Sequence, residues 1–196
     1  MEIADIFENF PKLETRQLIL RKLTLDDGQE IFEYASDPEV AENLPWERHK
    51  SVEDSINFLK LAIQNYEEKK VADWGIVNKK DNKLIGTIGY MWLLPEHNRA
   101  EIGYALSNKY WGKGLMTEAV SEIIRFGFEQ MKLNRIEARC FMKNIASEKV
   151  LYKVGMTYEG IARESLFGKG IYYDLKVYSI LRREYYTKKK AYKKGF

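Results

Sequence analysis

The order of hydrophobic patterns along the 196 residues predicts one mixed α/β (α+β) domain built on a mostly antiparallel sheet. Three observations carry the prediction. Segments 72–78, 84–92 and 100–107 are short, rich in aliphatic and aromatic residues and separated by brief polar turns, which is the pattern of a meander. Segments 51–69 and 117–131 instead repeat apolar residues every three or four positions, as amphipathic helices do. No internal repeat or linker breaks the order, so residues 1–187 read as a single domain, followed by a lysine-rich tail, 188–196, expected to be frayed.

Residues 17–23 alternate in apolar character and read as the first strand. Thr24 with Asp27 three residues on suits a helix start, and that helix should stop near Ala35, because Ser36-Asp37-Pro38 places a proline where the backbone before it disfavours helix. Segment 43–50, with Pro45 and Trp46, reads as a loop. Ser51 and Asp54 form a second capping pattern, ahead of an inner face made by Val52, Ile56, Leu59, Ile63 and Tyr66. Lys80-Asp81-Asn82 turns the first meander strand into the second. The helix at 117–131 presents Val120, Ile123, Ile124, Phe128 and Met131 on one face, and a strand at 135–142 follows. A short helix is expected to begin at Ser147 and to end before Gly155, a suitable left-handed terminator. Two aromatic-rich strands, 158–164 and 172–181, complete the pattern.

Composition excludes several classes. The longest uncharged stretch, 84–95, is too short to span a bilayer, and Met1-Glu2-Ile3-Ala4-Asp5 lacks the basic start of a secretory signal, so no membrane partner and a cytoplasmic location are expected. A single cysteine, Cys140, rules out an intrachain disulfide framework, and with two scattered histidines no metal is expected. The net charge of +3 comes from five lysines in the last nine residues. Without them 27 basic residues face 29 acidic ones, so no broad basic field exists and no DNA partner is expected. The tail itself reads either as a solvated end or as a contact for an anionic partner such as RNA.

The segment Tyr110-Trp111-Gly112-Lys113-Gly114-Leu115-Met116-Thr117 lies between a strand and an amphipathic helix. Two glycines allow close approach of a ligand, the first amides of the helix are unpaired, and Lys113 adds charge, so a pyrophosphate would be stabilised there. The spacing matches neither a P-loop nor the dinucleotide fingerprint Gly-x-Gly-x-x-Gly, and taken alone a plain tight turn explains it as well.

Taken with its neighbours, the segment resembles the GNAT superfamily of N-acetyltransferases. A strand is followed by Trp111-Gly112-Lys113-Gly114-Leu115-Met116-Thr117-Glu118-Ala119, then by a second strand, Asn144-x-x-Ser147 and Gly155-Met156. Further matches run from Leu13-Glu14-Thr15-Arg16 through Ala100-Glu101-Ile102-Gly103-Tyr104 to Asp174 and Tyr178, which is similar to the branch of the ribosomal-protein amino-terminal acetyltransferases RimJ and RimL. The chain departs from the superfamily pattern Gln/Arg-x-x-Gly-x-Gly/Ala at its first and last positions, here Trp111 and Met116.

The resemblance implies a GNAT fold, with about seven strands and about four helices. It also implies that the fourth and fifth strands splay around acetyl-coenzyme A as cosubstrate. It places the pyrophosphate on residues 111–117, the pantetheine arm along Ala105, Leu106 and Ser107, and Asn144 on the pantetheine amides. The acceptor is an amine, of a small molecule or a protein amino terminus, a ribosomal protein being one such partner. A homodimer is common among relatives.

An alkylamine has a pKa of about 10 and an α-amino group about 8, so a base must take up its proton. Glu101 is the candidate, with Glu137 and Glu164 as alternatives. It sits on the strand face shared by Gly103 and Ala105, opposite Ala100, Ile102, Tyr104 and Leu106. The departing thiolate needs a donor. Ser147 matches the serine of RimL-like enzymes and is preferred to Tyr152, one residue past the tyrosine position of other members, although Ser147 also reads as a helix cap. Cys140, with neither histidine near it in sequence, reads as a small buried hydrophobe rather than an acyl-accepting nucleophile. Substrate choice is expected at 43–50, 93–98 and 166–173. The rival reading from another class is an acetyl-coenzyme A sensor or interaction module without turnover.

Overall fold

The computed structural model describes residues 10–70 and 73–194, so the expected strand start at Ala72 lies outside the described residues. Strands β1 (Leu13–Glu14) and β2 (Leu18–Arg21) are followed by a 3-10 turn (Leu25–Asp27) and helices α1 (Gly28–Ala35), α2 (Pro38–Glu42) and α3 (Val52–Glu67). The meander β3 (Asp73–Asn78), β4 (Lys83–Leu94) and β5 (Arg99–Leu106) leads through residues 107–114 into α4 (Leu115–Glu129). Then come β6 (Arg135–Phe141), α5 (Ile145–Lys153), the hairpin β7 (Thr157–Gly168) and β8 (Ile171–Leu181), and α6 (Arg182–Lys194). No described helix is long and apolar enough to cross a membrane.

All eight strands form one sheet in the order β1-β2-β3-β4-β5-β6-β8-β7, antiparallel everywhere except between β5 and β6. Alternation along the strands assigns the two faces. Thr87 takes the hydroxyl of Tyr34 from α1 at 3.5 Å, whereas Trp74 meets Phe126 of α4 edge-on at 5.8 Å and Tyr90 donates to Ile123 O at 2.9 Å. Helix α1 therefore covers one face and α4 the other, with the fully buried Trp74, Ile76, Ile88, Ile123 and Phe128 between sheet and α4.

Local chemistry explains the boundaries. Both expected capping boxes form, at Thr24/Asp27 and Ser51/Asp54, although the first opens a 3-10 turn before α1. Past Ala35 the chain does not go straight to a loop. Asp37 accepts from Glu39 N at 2.9 Å and Pro38 occupies the first turn, where its missing N–H costs nothing, so α2 forms. Asn144, not Ser147, caps α5: its Oδ1 accepts from Ser147 N at 2.9 Å, which starts the helix two residues earlier than expected and frees the Ser147 hydroxyl. Gly155, at φ 87°, follows α5 as the expected left-handed residue. Helix α6 continues to Lys194, with Lys188 Nζ donating to Gly155 O at 3.1 Å and Lys189 paired with Glu129.

Positioning of the site depends on one seam. Pairing between β5 and β6 covers Arg99–Arg135, Ala100–Ile136, Glu101–Glu137 and Ile102–Ala138, then ends, although β5 runs to Leu106 and β6 to Phe141. On its other edge β6 pairs with β8 along its whole length, from Arg135 to Phe141. Strands β5 and β6 thus diverge around an opening, the splay expected of them.

Candidate active site

The opening widens into a cleft of about 440 Å³, lined from both faces of β5, by Tyr104 and Leu106 on the α4 side and by Ala105 on the other. One end is formed by Trp111, Gly112, Gly114, Leu115, Met116 and Thr117, the other by Lys143, Asn144, Ala146 and Ser147, with Ala105 and Leu106 between them. Gly112 and Gly114 adopt φ 73° and 77°, and a β-carbon on either would meet nothing within 4 Å, so the left-handed backbone rather than crowding requires glycine. Gly114 is the N-cap of α4 and no side chain caps the helix, which leaves its first amides directed at whatever enters. Glu118 accepts from Gln17 N at 2.7 Å and from Gln17 Nε2 at 2.8 Å, tying this helix end to the turn before β2.

The electrostatics are one-sided. Among the described residues, Lys143, Lys149 and Lys153 line the cleft and no carboxylate does. The two lysines on α5 are four residues apart and so share a face. Lys113, expected to add charge, turns back: its ammonium donates to Lys109 O at 2.7 Å and lies 5.0 Å from the Tyr110 ring centre. Trp111 donates from Nε1 to Leu106 O at 2.8 Å, so the indole already satisfies that carbonyl. Ser107 is buried and its N–H goes to Ile85 O, away from the cleft.

The candidate reacting groups divide between the two faces. Ser147 Oγ and Tyr104 Oη lie 2.8 Å apart at the cleft wall. Burial holds the Tyr104 phenol above its ordinary range. Tyr152 is 54% exposed and packs edge-on against Tyr178, outside the cleft lining. Glu101 lies on the opposite face, where its Oε2 accepts from Trp92 Nε1 at 2.7 Å and from Arg139 at 2.9 Å. Burial raises its carboxyl, against the lowering pull of Arg139 and Trp92. Its register partner Glu137 is also raised by burial, but hydrogen bonds from Arg99 and Arg135 outweigh that and hold it below the usual carboxylate range. Glu164, exposed at φ 47° in an irregular stretch of β7, is far along the hairpin from this pair. Cys140 is buried, and its thiol is pushed up to about 11, first by that burial.

Of the expected substrate segments, 43–50 contributes Asn43 and Leu44 to the cleft. It also approaches the β7–β8 turn, where a β-carbon on Gly168 would come within 2.8 Å of Pro45 O, and the same turn reaches α2 through Lys169 Nζ, which donates to Ala41 O at 2.6 Å. Tyr104, Arg139 and the lysines of α5 were not singled out from the sequence. Only the lysines left a usable signal there, two basic residues at helical spacing just after Asn144. Among the described residues no group of three or more His, Cys, Asp or Glu side chains could hold a metal ion.

Comparison with known proteins gives the class. Residues 17–157 match the family model described as "Acetyltransferase (GNAT) domain". The chain belongs to the GNAT acetyltransferase family and is an acyltransferase. It is 39% identical over 173 residues to the uncharacterized N-acetyltransferase YoaA of Bacillus subtilis (strain 168), which covers 88% of this chain and 98% of that protein. A GNAT-family acetyltransferase from Bacillus anthracis superposes with a TM-score of 0.78 at 30% identity, over 89% of this chain and 100% of that one. The ribosomal-protein-serine acetyltransferase of Escherichia coli (strain K12) is 29% identical over 100 residues, or 51% of this chain and 56% of that protein.

Proposed function

We propose that the chain moves the acetyl group of acetyl-coenzyme A to a primary amine, either a protein α-amine or a small-molecule amine, by direct attack in a ternary complex. The observation that carries this reading is a cleft with uncapped helix amides on one side, the Asn144 and Ser147 corner on another and, among the described residues, three lysines and no carboxylate in its lining. A diphosphate with a long polar arm suits such a site: the helix end and the lysines meet its charge, and the edge of β5 that β6 leaves open beyond Ile102 offers main-chain groups to its amides. The acetyl group then lies in the gap between β5 and β6. An amine approaching on the Glu101 face forms the C–N bond and passes its proton through water to Glu101, whose two observed contacts both fall on Oε2. As the C–S bond breaks, the electron pair goes to sulfur on the opposite face, beside Ser147. Main-chain amides of β5 polarise the thioester carbonyl. The likeness to a ribosomal-protein-serine acetyltransferase favours a protein amino terminus as one acceptor class.

The test is mass spectrometry of an amine panel, including peptides with free amino termini, incubated with the protein and acetyl-coenzyme A. A product heavier by one acetyl group is expected from at least one member. No product, together with no rise in melting temperature at saturating acetyl-coenzyme A, would sink the reading.

A further inference from the structure

We infer that Tyr104 is a positioning residue, which turns the Ser147 hydroxyl hydrogen toward the sulfur of the leaving group. The inference rests on the proposed transfer reaction and adds to it a residue outside the expected set. Tyr104 and Ser147 come from β5 and α5, 43 residues apart, and their oxygens are 2.8 Å apart at the cleft wall. Tyr104 is half-buried at the cleft wall, and Ser147 Oγ is the hydrogen-bond partner seen for its hydroxyl among the described residues. A phenol is the more acidic hydroxyl of the two and so the better donor, which assigns Tyr104 as donor and Ser147 as acceptor. The hydrogen of Ser147 is then free to point elsewhere, and two acceptors compete for it. One is the neutral thiol of Cys140, a weak acceptor; the other is the sulfur that gains an electron pair in the cleft.

The chemistry balances without a net acid. A serine hydroxyl is a far weaker acid than a thiol, and burial makes Tyr104 reluctant to part with its own proton. During C–S cleavage the electron pair passes to sulfur, the amine proton passes to Glu101, and the hydrogens of Ser147 and Tyr104 stay on their oxygens. The dyad contributes a charge-assisted hydrogen bond, and donation from Tyr104 polarises the Ser147 hydroxyl that makes it.

A double-mutant cycle on kcat tests this, with Tyr104→Phe, Ser147→Ala and the combination, each checked for an unchanged melting temperature. Loss of a hydrogen bond to a charged group predicts a fall in kcat of about 10- to 100-fold for each single variant, with KM for acetyl-coenzyme A held. The double variant should be no slower than Ser147→Ala alone, because Tyr104 acts only through that serine. Multiplicative losses, or a Tyr104→Phe variant as fast as wild type beside a slow Ser147→Ala, would overturn the positioning role and leave the transfer reading intact. A fast Ser147→Ala would overturn both the dyad and the role given to Ser147.

Discussion

Glu101 and Glu137 face each other as register partners across the parallel β5–β6 pair, yet their surroundings drive the two carboxyls in opposite directions. Burial raises Glu101 against a single arginine and an indole, whereas Glu137 is clamped by Arg99 and Arg135 and falls. Two like groups separated in this way can take different tasks, the raised one exchanging protons and the lowered one holding structure.

The first task fixes a pH profile. A base must be ionised to accept a proton, so the acidic limb of kcat/KM should lie above the ordinary carboxylate range. Glu101→Gln should lower kcat/KM by about 10²- to 10⁴-fold and abolish the limb. Arg139 favours the charged form of Glu101, so Arg139→Met should move the limb to higher pH. Initial rates across pH check both, and a Glu101→Gln variant that keeps the wild-type profile excludes this base.

The second task is a stability linkage. The folded pKa of Glu137 is depressed, so its contribution is complete above the unfolded value of about 4.3 and is lost as pH falls through the lower folded value. Glu137→Gln should cost about 1–3 kcal/mol at neutral pH, the worth of charge-assisted hydrogen bonds. In urea titrations the gap from wild type should close on acidification. A gap independent of pH would place the cost in packing.

The lysines of the cleft predict a charge effect on affinity. Lys149→Glu and Lys153→Glu should each raise KM for acetyl-coenzyme A while kcat changes little. Both lysines reach solvent, so the penalty should shrink as salt rises toward about 0.5 M, where screening is effective over a few ångströms. Kinetics at two ionic strengths would show it, and a penalty that ignores salt would remove these side chains from phosphate binding.

Cys140 provides the control for direct transfer. A buried thiol pushed up to about 11 is a poor nucleophile at neutral pH, so Cys140→Ala should keep kcat within about threefold of wild type. Intact-protein mass spectra taken during turnover should show no acetylated enzyme. Accumulation of such a species would point to a ping-pong route.

How much of this could be read from residues alone follows from how far apart the interacting parts lie in the chain. The turn at 112–114, the Ser51/Asp54 box and the Gly155 terminator are short-range signals, and all three appear where expected. Strand β1 and helix α2 are too short to have a period, so only pairing with Ile19 and Leu20 and the Asp37 cap reveal them. The hairpin β7–β8 extends to Gly168 and Ile171, past the expected end of its first strand, because Lys169 and Gly170 turn it at φ 49° and 79°. At the site, alternation sets Glu101 and Tyr104 on opposite faces of β5, but it gives neither of them a partner. The bond of Tyr104 to Ser147, like that of Glu101 to Arg139, joins elements that meet only when the sheet is assembled, and no local pattern announces it.

The seam between β5 and β6 has a consequence for the molecule as a whole. Among the described residues, four residue pairs make up the whole strand ladder between the C-terminal three strands and the N-terminal five. A cosubstrate lying in the gap beneath Ile102 and Ala138 would act as mortar between two slabs. Amide hydrogens flanking the seam should therefore exchange more slowly once it is seated, even where they never touch it.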